Sequence, residues 1–211
     1  MDDLHPLTTP LAILSDPQLS DSPTQTLKVK QDDDSYSGRD YTITTNSSDS
    51  PLFTVKGKAD RKHFQRNLQD PATGATLLEI RRSATGSWFV ETPDPHRRTV
   101  VSGEMRMSFA HVKVDLKVSN AAHRHSGVGE VEGEGEASRG GEDVALELRG
   151  RDTRYQETDV LFADGGKLVA RVSKVTGTTM PVIPFLNSNK RGKRDTWEVR
   201  VAGGVDVALV S

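Results

Sequence analysis

Asn67-Leu-Gln-Asp-Pro-Ala-Thr-Gly-Ala-Thr-Leu-Leu-Glu-Ile-Arg81 decides the fold: an extended stretch, a polar turn at Asp70–Ala75, then a leucine-led strand ending on a base. The phrase recurs on either side. Upstream, Tyr41-Thr-Ile-Thr-Thr45 leads through the turn Asn46–Pro51 into Leu52-Phe-Thr-Val-Lys56. Downstream, Val160-Leu-Phe-Ala163 leads through Asp164-Gly-Gly166 into Leu168-Val-Ala-Arg-Val172. Strand, Asx/Gly turn and strand at this spacing predict hairpins, and their repetition predicts an antiparallel β-protein.

Further strand-like segments fill the intervals: Leu27–Lys30, Phe64–Gln69, Ser87–Glu91, Phe109–Val118, Val144–Gly150, Arg154–Leu161 and Thr196–Ala202. Phe109–Val118 sets His111, Lys113, Asp115 and Lys117 on one face and Val112, Val114, Leu116 and Val118 on the other, as a barrel wall requires. About a dozen strands and no interior helix are expected. The 211 residues suit one all-β domain. An apolar share of 34% is low for such a domain and leaves part of the chain outside the core. That part is predicted to be residues 1–24, a disordered leader holding Pro6, Pro10, Pro17 and Pro23, with Leu11–Leu14 as an apolar island. Residues 25–211 form the domain, with a flexible acidic loop at 129–141 and a basic loop at 188–195.

The net charge of −2 conceals an alternation. Residues 1–40 carry 8 acids and 3 bases, 41–128 carry 8 and 13, 129–160 carry 10 and 4, and 161–211 carry 4 and 8. The regions that hold the hairpins are mildly basic, which attracts phosphates when it is more than a solvated strand face. Cysteine is absent, which excludes disulfides, thiolate zinc sites and cysteine catalysis. The chain shows no secretory signal and no run of about 20 apolar residues to span a bilayer. An intracellular, cytoplasmic protein is expected, with the nucleus or a peripheral membrane as alternatives.

Two basic groups are the candidate lipid or phosphate ligands: Lys56, Lys58, Arg61 and Lys62, and Lys190, Arg191, Lys193 and Arg194. Each also reads as a solvated hairpin tip, and the second fits a nuclear-localisation patch. Glu130, Glu132, Glu134 and Glu136 lack the EF-hand pattern, and His123 and His125 lack a third ligand, so no metal is expected. Neither a Gly-x-Ser-x-Gly elbow, nor a phosphate-binding glycine loop, nor a His-Glu-x-x-His motif occurs. No catalytic residue, cofactor or nucleic-acid partner is assigned. Trp88 and Trp197 are expected to be core aromatics of the wall.

Taken in order, several segments resemble the LURP-one-related family over about residues 26–211. They are Tyr41-Thr-Ile-Thr44, Leu52–Lys56, Leu68–Asp70, Gly74, Leu77–Arg81, Trp88, Phe109–Leu116, Leu168–Lys174, Asp195–Val201 and Ala202–Val210. The resemblance implies a Tubby C-terminal-like fold, a closed antiparallel barrel of about twelve strands threaded by an apolar C-terminal helix. Phospholipid scramblases are similar in fold. It implies no enzymatic activity. Tubby domains bind phosphoinositides at a basic surface, but fold kinship does not transfer function, and none of those bases is carried over to this chain. The family's helix runs well past the Val-Asp-x-Ala motif, here Val205–Ala208, whereas this chain stops at Ser211. The central helix is therefore expected to be mostly truncated, leaving the lumen unfilled or partly filled by Val205–Val210 or another segment. These readings predict a non-enzymatic binding or scaffold protein that associates weakly with anionic phospholipid headgroups. The alternative is a protein-interaction module in stress or transcriptional signalling.

Overall fold

A computed structural model describes residues 4–14, 17–20, 23–32, 40–57, 64–107, 112–124, 142–151, 156–176 and 195–210. Within them twelve strands close into one barrel. They are β1 (Thr24–Gln31), β2 (Tyr41–Thr45), β3 (Ser48–Gly57), β4 (Gln65–Gln69), β5 (Thr76–Arg82), β6 (Trp88–Glu91), β7 (Thr99–Met107), β8 (Val112–Ser119), β9 (Asp143–Gly150), β10 (Glu157–Phe162), β11 (Leu168–Thr176) and β12 (Thr196–Ala202). Each pairs antiparallel with its neighbours in sequence, and β1 seals against β12, so none of these described strands is left with an exposed edge. A 3₁₀ turn at Ala121–Arg124 follows β8, and a single helical turn, α1, spans Val207–Val210.

Period-two alternation sorts the side chains. Phe53 and Val55 of β3, Leu68 of β4, Leu78 of β5, Val118 of β8, Leu146 of β9 and Val199 and Val201 of β12 are buried in one apolar cluster. The register sets Leu68 opposite Leu78 and Val101 opposite Val118. The outward positions of β7–β11 carry cross-strand ion pairs: Arg106–Asp115, Lys113–Glu147 at 3.0 Å, Lys117–Asp143 at 2.7 Å and Arg171–Asp159 at 2.7 Å. Each exposed pair is worth little alone. Their main effect is on register, because a one-residue slip would turn these charges into the core.

Two local features differ from expectation. The turn predicted at 46–51 shrinks to Asn46-Ser47, since β3 already starts at Ser48. The extra residues are taken up as register shifts between Ile43, Thr44 and Thr45, where Pro51 needs no N–H partner. Strand β7 was not anticipated, because Gly103 interrupts its apolar alternation. Gly103 lies opposite both Trp88 and Leu116, and a Cβ there would sit 2.8 Å from Leu116 Cδ2 and 3.7 Å from Trp88 Cβ. The missing side chain makes room for its two large neighbours. Gly103→Val is expected to cost about 1–3 kcal/mol through overpacking, more than the gain in strand propensity of up to about 1 kcal/mol. Urea unfolding checks this, and a variant as stable as the parent would show that the wall has slack.

The leader is a correction. Residues 1–24 were expected to be disordered, yet the described part forms a strap seated on one end of the barrel. Leu4, Leu11, Ala12 and Ile13 are buried, and Leu4, Leu11 and Ile13 belong to the same cluster as the wall. Leu11 bridges Val205 in parallel and Leu19 bridges Asp206 antiparallel. Leu7 N donates to Gly203 O at 2.8 Å, Leu11 N to Gly204 O at 2.9 Å, and Asp206 N to Leu11 O at 2.7 Å. Asn120 accepts from Ala12 N and donates to Pro10 O, both at 3.0 Å. Eight strands already make a barrel whose wall side chains just fill it, so twelve leave space that the wall cannot close. The apolar island and the buried Val205, Val207 and Ala208 fill the strap end together. The predicted acidic loop at 129–141 lies outside the described residues, and of the basic loop at 188–195 only Asp195 lies within them.

Candidate functional site

Antiparallel order gives the barrel two unlike ends. The strap end gathers the turns after β2, β4, β6 and β10 together with the strap itself. The opposite end gathers the ends of the odd-numbered strands and the starts of the even-numbered ones.

At that opposite end the interior becomes cationic and aromatic. Arg66 of β4 shares its strand face with Leu68 and is 2% exposed. Its guanidinium carbon lies 4.9 Å from the Tyr41 ring centre and 4.5 Å from that of Phe64. Phe64 meets Trp88 edge-on at 4.5 Å, and Tyr41 tilts against Trp197 at 5.9 Å. Lys174 Nζ sits 5.8 Å from the Trp197 ring centre and 2.9 Å from Asp195 Oδ1, with both side chains more than nine-tenths buried. Arg82, exposed at the rim, lies 5.7 Å over Trp88. The electron-rich ring faces replace part of the water these cations lose. Trp197 is buried in the core as expected, and Trp88 is partly buried; both also carry a cation, which the sequence reading missed. The available signal was Arg66 standing two residues before Leu68, on the inward face of its strand.

Of the eight predicted ligands, only Lys56 lies among the described residues. It sits near the end of β3 with Nζ 3.3 Å from Asp40 and 4.0 Å from Asp32, so two carboxylates offset its charge. Lys58, Arg61, Lys62, Lys190, Arg191, Lys193 and Arg194 lie outside the described residues. The residues that flank them are Gly57, Phe64, Thr176 and Asp195, and all four stand at the end opposite the strap. Three strand steps, β3 to β2 to β1 to β12, separate the two flanks, about 15 Å around the rim at roughly 4.8 Å per step. Among the described residues no three His, Asp or Glu side chains gather as a metal site. No helix there is long and apolar enough to cross a membrane.

At the strap end Asp206 is fully buried. Asp206 accepts backbone N–H bonds from Ile13, Leu14 and Ala208, each at 3.1 Å, and so caps both the strap turn and α1. Burial pushes its carboxyl above the ordinary aspartate range, against the pull of the N–H groups of Leu14, Ala208 and Ile13.

A closed twelve-strand antiparallel barrel, laced outside by ion pairs and capped by its own N-terminal strap, defines the class of protein. The chain belongs to the LURP-one-related family, whose model matches residues 25–211. An X-ray structure of a protein from Arabidopsis thaliana is similar over 93% of this chain and 91% of that one, with a TM-score of 0.54 and 16% identity. That likeness is one of fold. No curated protein matches the chain in sequence.

Proposed function

We propose that this chain is a non-enzymatic binding protein whose barrel end opposite the strap associates with anionic phospholipid headgroups. One observation carries the reading: the four residues that flank the basic stretches Lys58–Lys62 and Lys190–Arg194 lie on one and the same end. Arg82 stands exposed at the rim of that end, and the Lys174 charge there is opposed by Asp195. Lys56 contributes little, because Asp40 and Asp32 hold it. Basic charge grouped on one face attracts anionic headgroups over about a Debye length, roughly 10 Å at 0.1 M salt.

Flotation with phosphatidylcholine vesicles, with and without an added anionic phospholipid, tests this. The protein is expected to float only with the anionic vesicles, and severalfold less once salt rises from about 0.05 to about 0.5 M. Reversing Lys190, Arg191, Lys193 and Arg194 to glutamate is expected to abolish flotation. Binding that ignores both salt and charge reversal would refute the proposal.

A further inference from the structure

Two adjacent arginines end β5 and differ in their partners. The Arg81 guanidinium is bonded through Nε and Nη2 to the Glu91 carboxylate, each at 2.6 Å. Arg82 turns the other way. Register sets it opposite Trp88, which lies opposite Gly103 and, through Leu116, on the same face as the buried Leu146. Its side chain therefore stands in the mouth of the barrel, at the end opposite the strap. No carboxylate among the described residues pairs with it, and the guanidinium lies exposed, 5.7 Å over the Trp88 ring. A guanidinium seated on an aromatic face keeps its N–H edge for an oxyanion.

The turn that follows is fixed in place and rich in donors. Ser83 N donates to Ser87 O at 2.8 Å, Gly86 N to Ser83 O at 3.1 Å, and Ser87 N to Ser83 Oγ at 3.1 Å. Gly86 holds a left-handed φ of +96°, and a Cβ there would lie 3.6 Å from Arg82 Nη2, so the guanidinium folds back over this turn. Ser83 Oγ and Thr85 Oγ1 are 2.7 Å apart, a bond that uses one of their two hydroxyl hydrogens. The N–H groups of Ala84 and Thr85 find no acceptor among the described residues. A guanidinium fork, a hydroxyl and successive backbone N–H groups in one short turn are the donors that a phosphate takes. Turn and guanidinium are already placed, so little ordering is left to oppose binding.

We propose that Arg82 and the Ser83–Gly86 turn clasp a single phosphate group, supplied by a phospholipid headgroup. The inference rests on the phospholipid reading for the source of that phosphate, and it assigns the contact to residues outside the two basic stretches. Those stretches supply long-range attraction, and the clasp holds one headgroup with Trp88 beside it in the interfacial zone that indole rings favour. A free phosphate ion offers the same chemistry, so the test has one arm for each source.

In the first arm, the amide signals of Ala84, Thr85 and Gly86 and the Trp88 indole N–H are followed by NMR on the full chain. Inorganic phosphate, and separately acetate, is added at constant ionic strength. Phosphate is expected to move these signals saturably, and acetate far less. Arg82→Gln is expected to weaken phosphate about tenfold, through loss of a charged hydrogen-bonding partner. Arg98→Gln, exposed in the turn before β7 at the strap end, removes the same charge and is expected to change nothing. No saturable shift, equal shifts with acetate, a phosphate affinity that ignores Arg82→Gln, or an equal loss in Arg98→Gln would each overturn the proposal. In the second arm, the parent is expected to float with phosphatidylcholine vesicles that contain phosphatidic acid, and Arg82→Gln severalfold less. Phosphate shifts beside flotation that ignores Arg82→Gln would overturn the headgroup as the source and leave the free ion as ligand. A parent that shifts with phosphate yet floats with no anionic vesicle would sink the phospholipid reading while the clasp stands.

Discussion

A chain lacking residues 1–20 is expected to lose most of its cooperative stability. The strap buries Leu4, Leu11 and Ile13 to 8%, 1% and 3% exposure, and each such side chain contributes about 1.5–3 kcal/mol when removed from water. Three together amount to roughly 5–9 kcal/mol, an upper figure because unfolded chains already hide some apolar surface. A domain's whole net stability is only about 5–15 kcal/mol. Deletion also uncovers Val205 and Val207, which are buried at the same end. Urea unfolding of the two forms is the measurement, with a large fall in midpoint expected. The single changes Leu11→Ala and Ile13→Ala, at about 2–5 kcal/mol each, report the same burial if the deleted form does not fold. Unchanged midpoints would mean that the strap lies on the barrel without supporting it.

Asp206→Ala is expected to be the most damaging single change at the strap end. It leaves the N–H groups of Ile13, Leu14 and Ala208 without their acceptor in a position closed to water. An abandoned buried donor costs about 1–3 kcal/mol, so with relaxation the change should cost about 3–5 kcal/mol. Amide exchange should accelerate first at those three residues, whereas uniform acceleration across the barrel would contradict a local latch. The pH dependence has a definite sign. The folded-state pKa of Asp206 is raised above its ordinary value of 3.8, so the folded form holds this proton more tightly than the unfolded one. Its contribution to stability is fully present below the ordinary aspartate range and is lost as pH rises through the raised folded value. Asp206→Asn imitates the protonated carboxyl and should therefore compare better with the parent at neutral pH than at pH about 4. Glu91 behaves oppositely. The Arg81 guanidinium, bonded to both its oxygens at 2.6 Å, lowers its pKa, so its contribution is present above the ordinary glutamate range and lost in acid.

The strap that completes the core also forms one wall of a cleft beside β9 and β10. A loosened strap is expected to leave vesicle flotation at the opposite end less affected than stability.

Much of this architecture was legible one residue at a time. Alternation in Leu27–Lys30 and the strand-like runs Leu52–Lys56 and Thr196–Ala202, with turns at Asp70–Ala75 and Asp164–Gly166, determined the strands, their antiparallel pairing and their buried faces. These are local properties: period two and turn chemistry act within a few residues of one another. The basic groups were equally visible, since charge is written in composition. Three things depended on the closed tertiary structure. Strand β7 is held by neighbours that fill the space above Gly103, which its own alternation does not reveal. The cationic–aromatic interior forms because Tyr41, Phe64, Arg66, Trp88, Lys174 and Trp197, far apart in sequence, meet at one end of the barrel. The N-terminal segment has the composition of a disordered leader, and Leu11–Ile13 is too short to fold alone. It is ordered because closing twelve strands creates an apolar space at the strap end, and filling that space outweighs the entropy of fixing the segment.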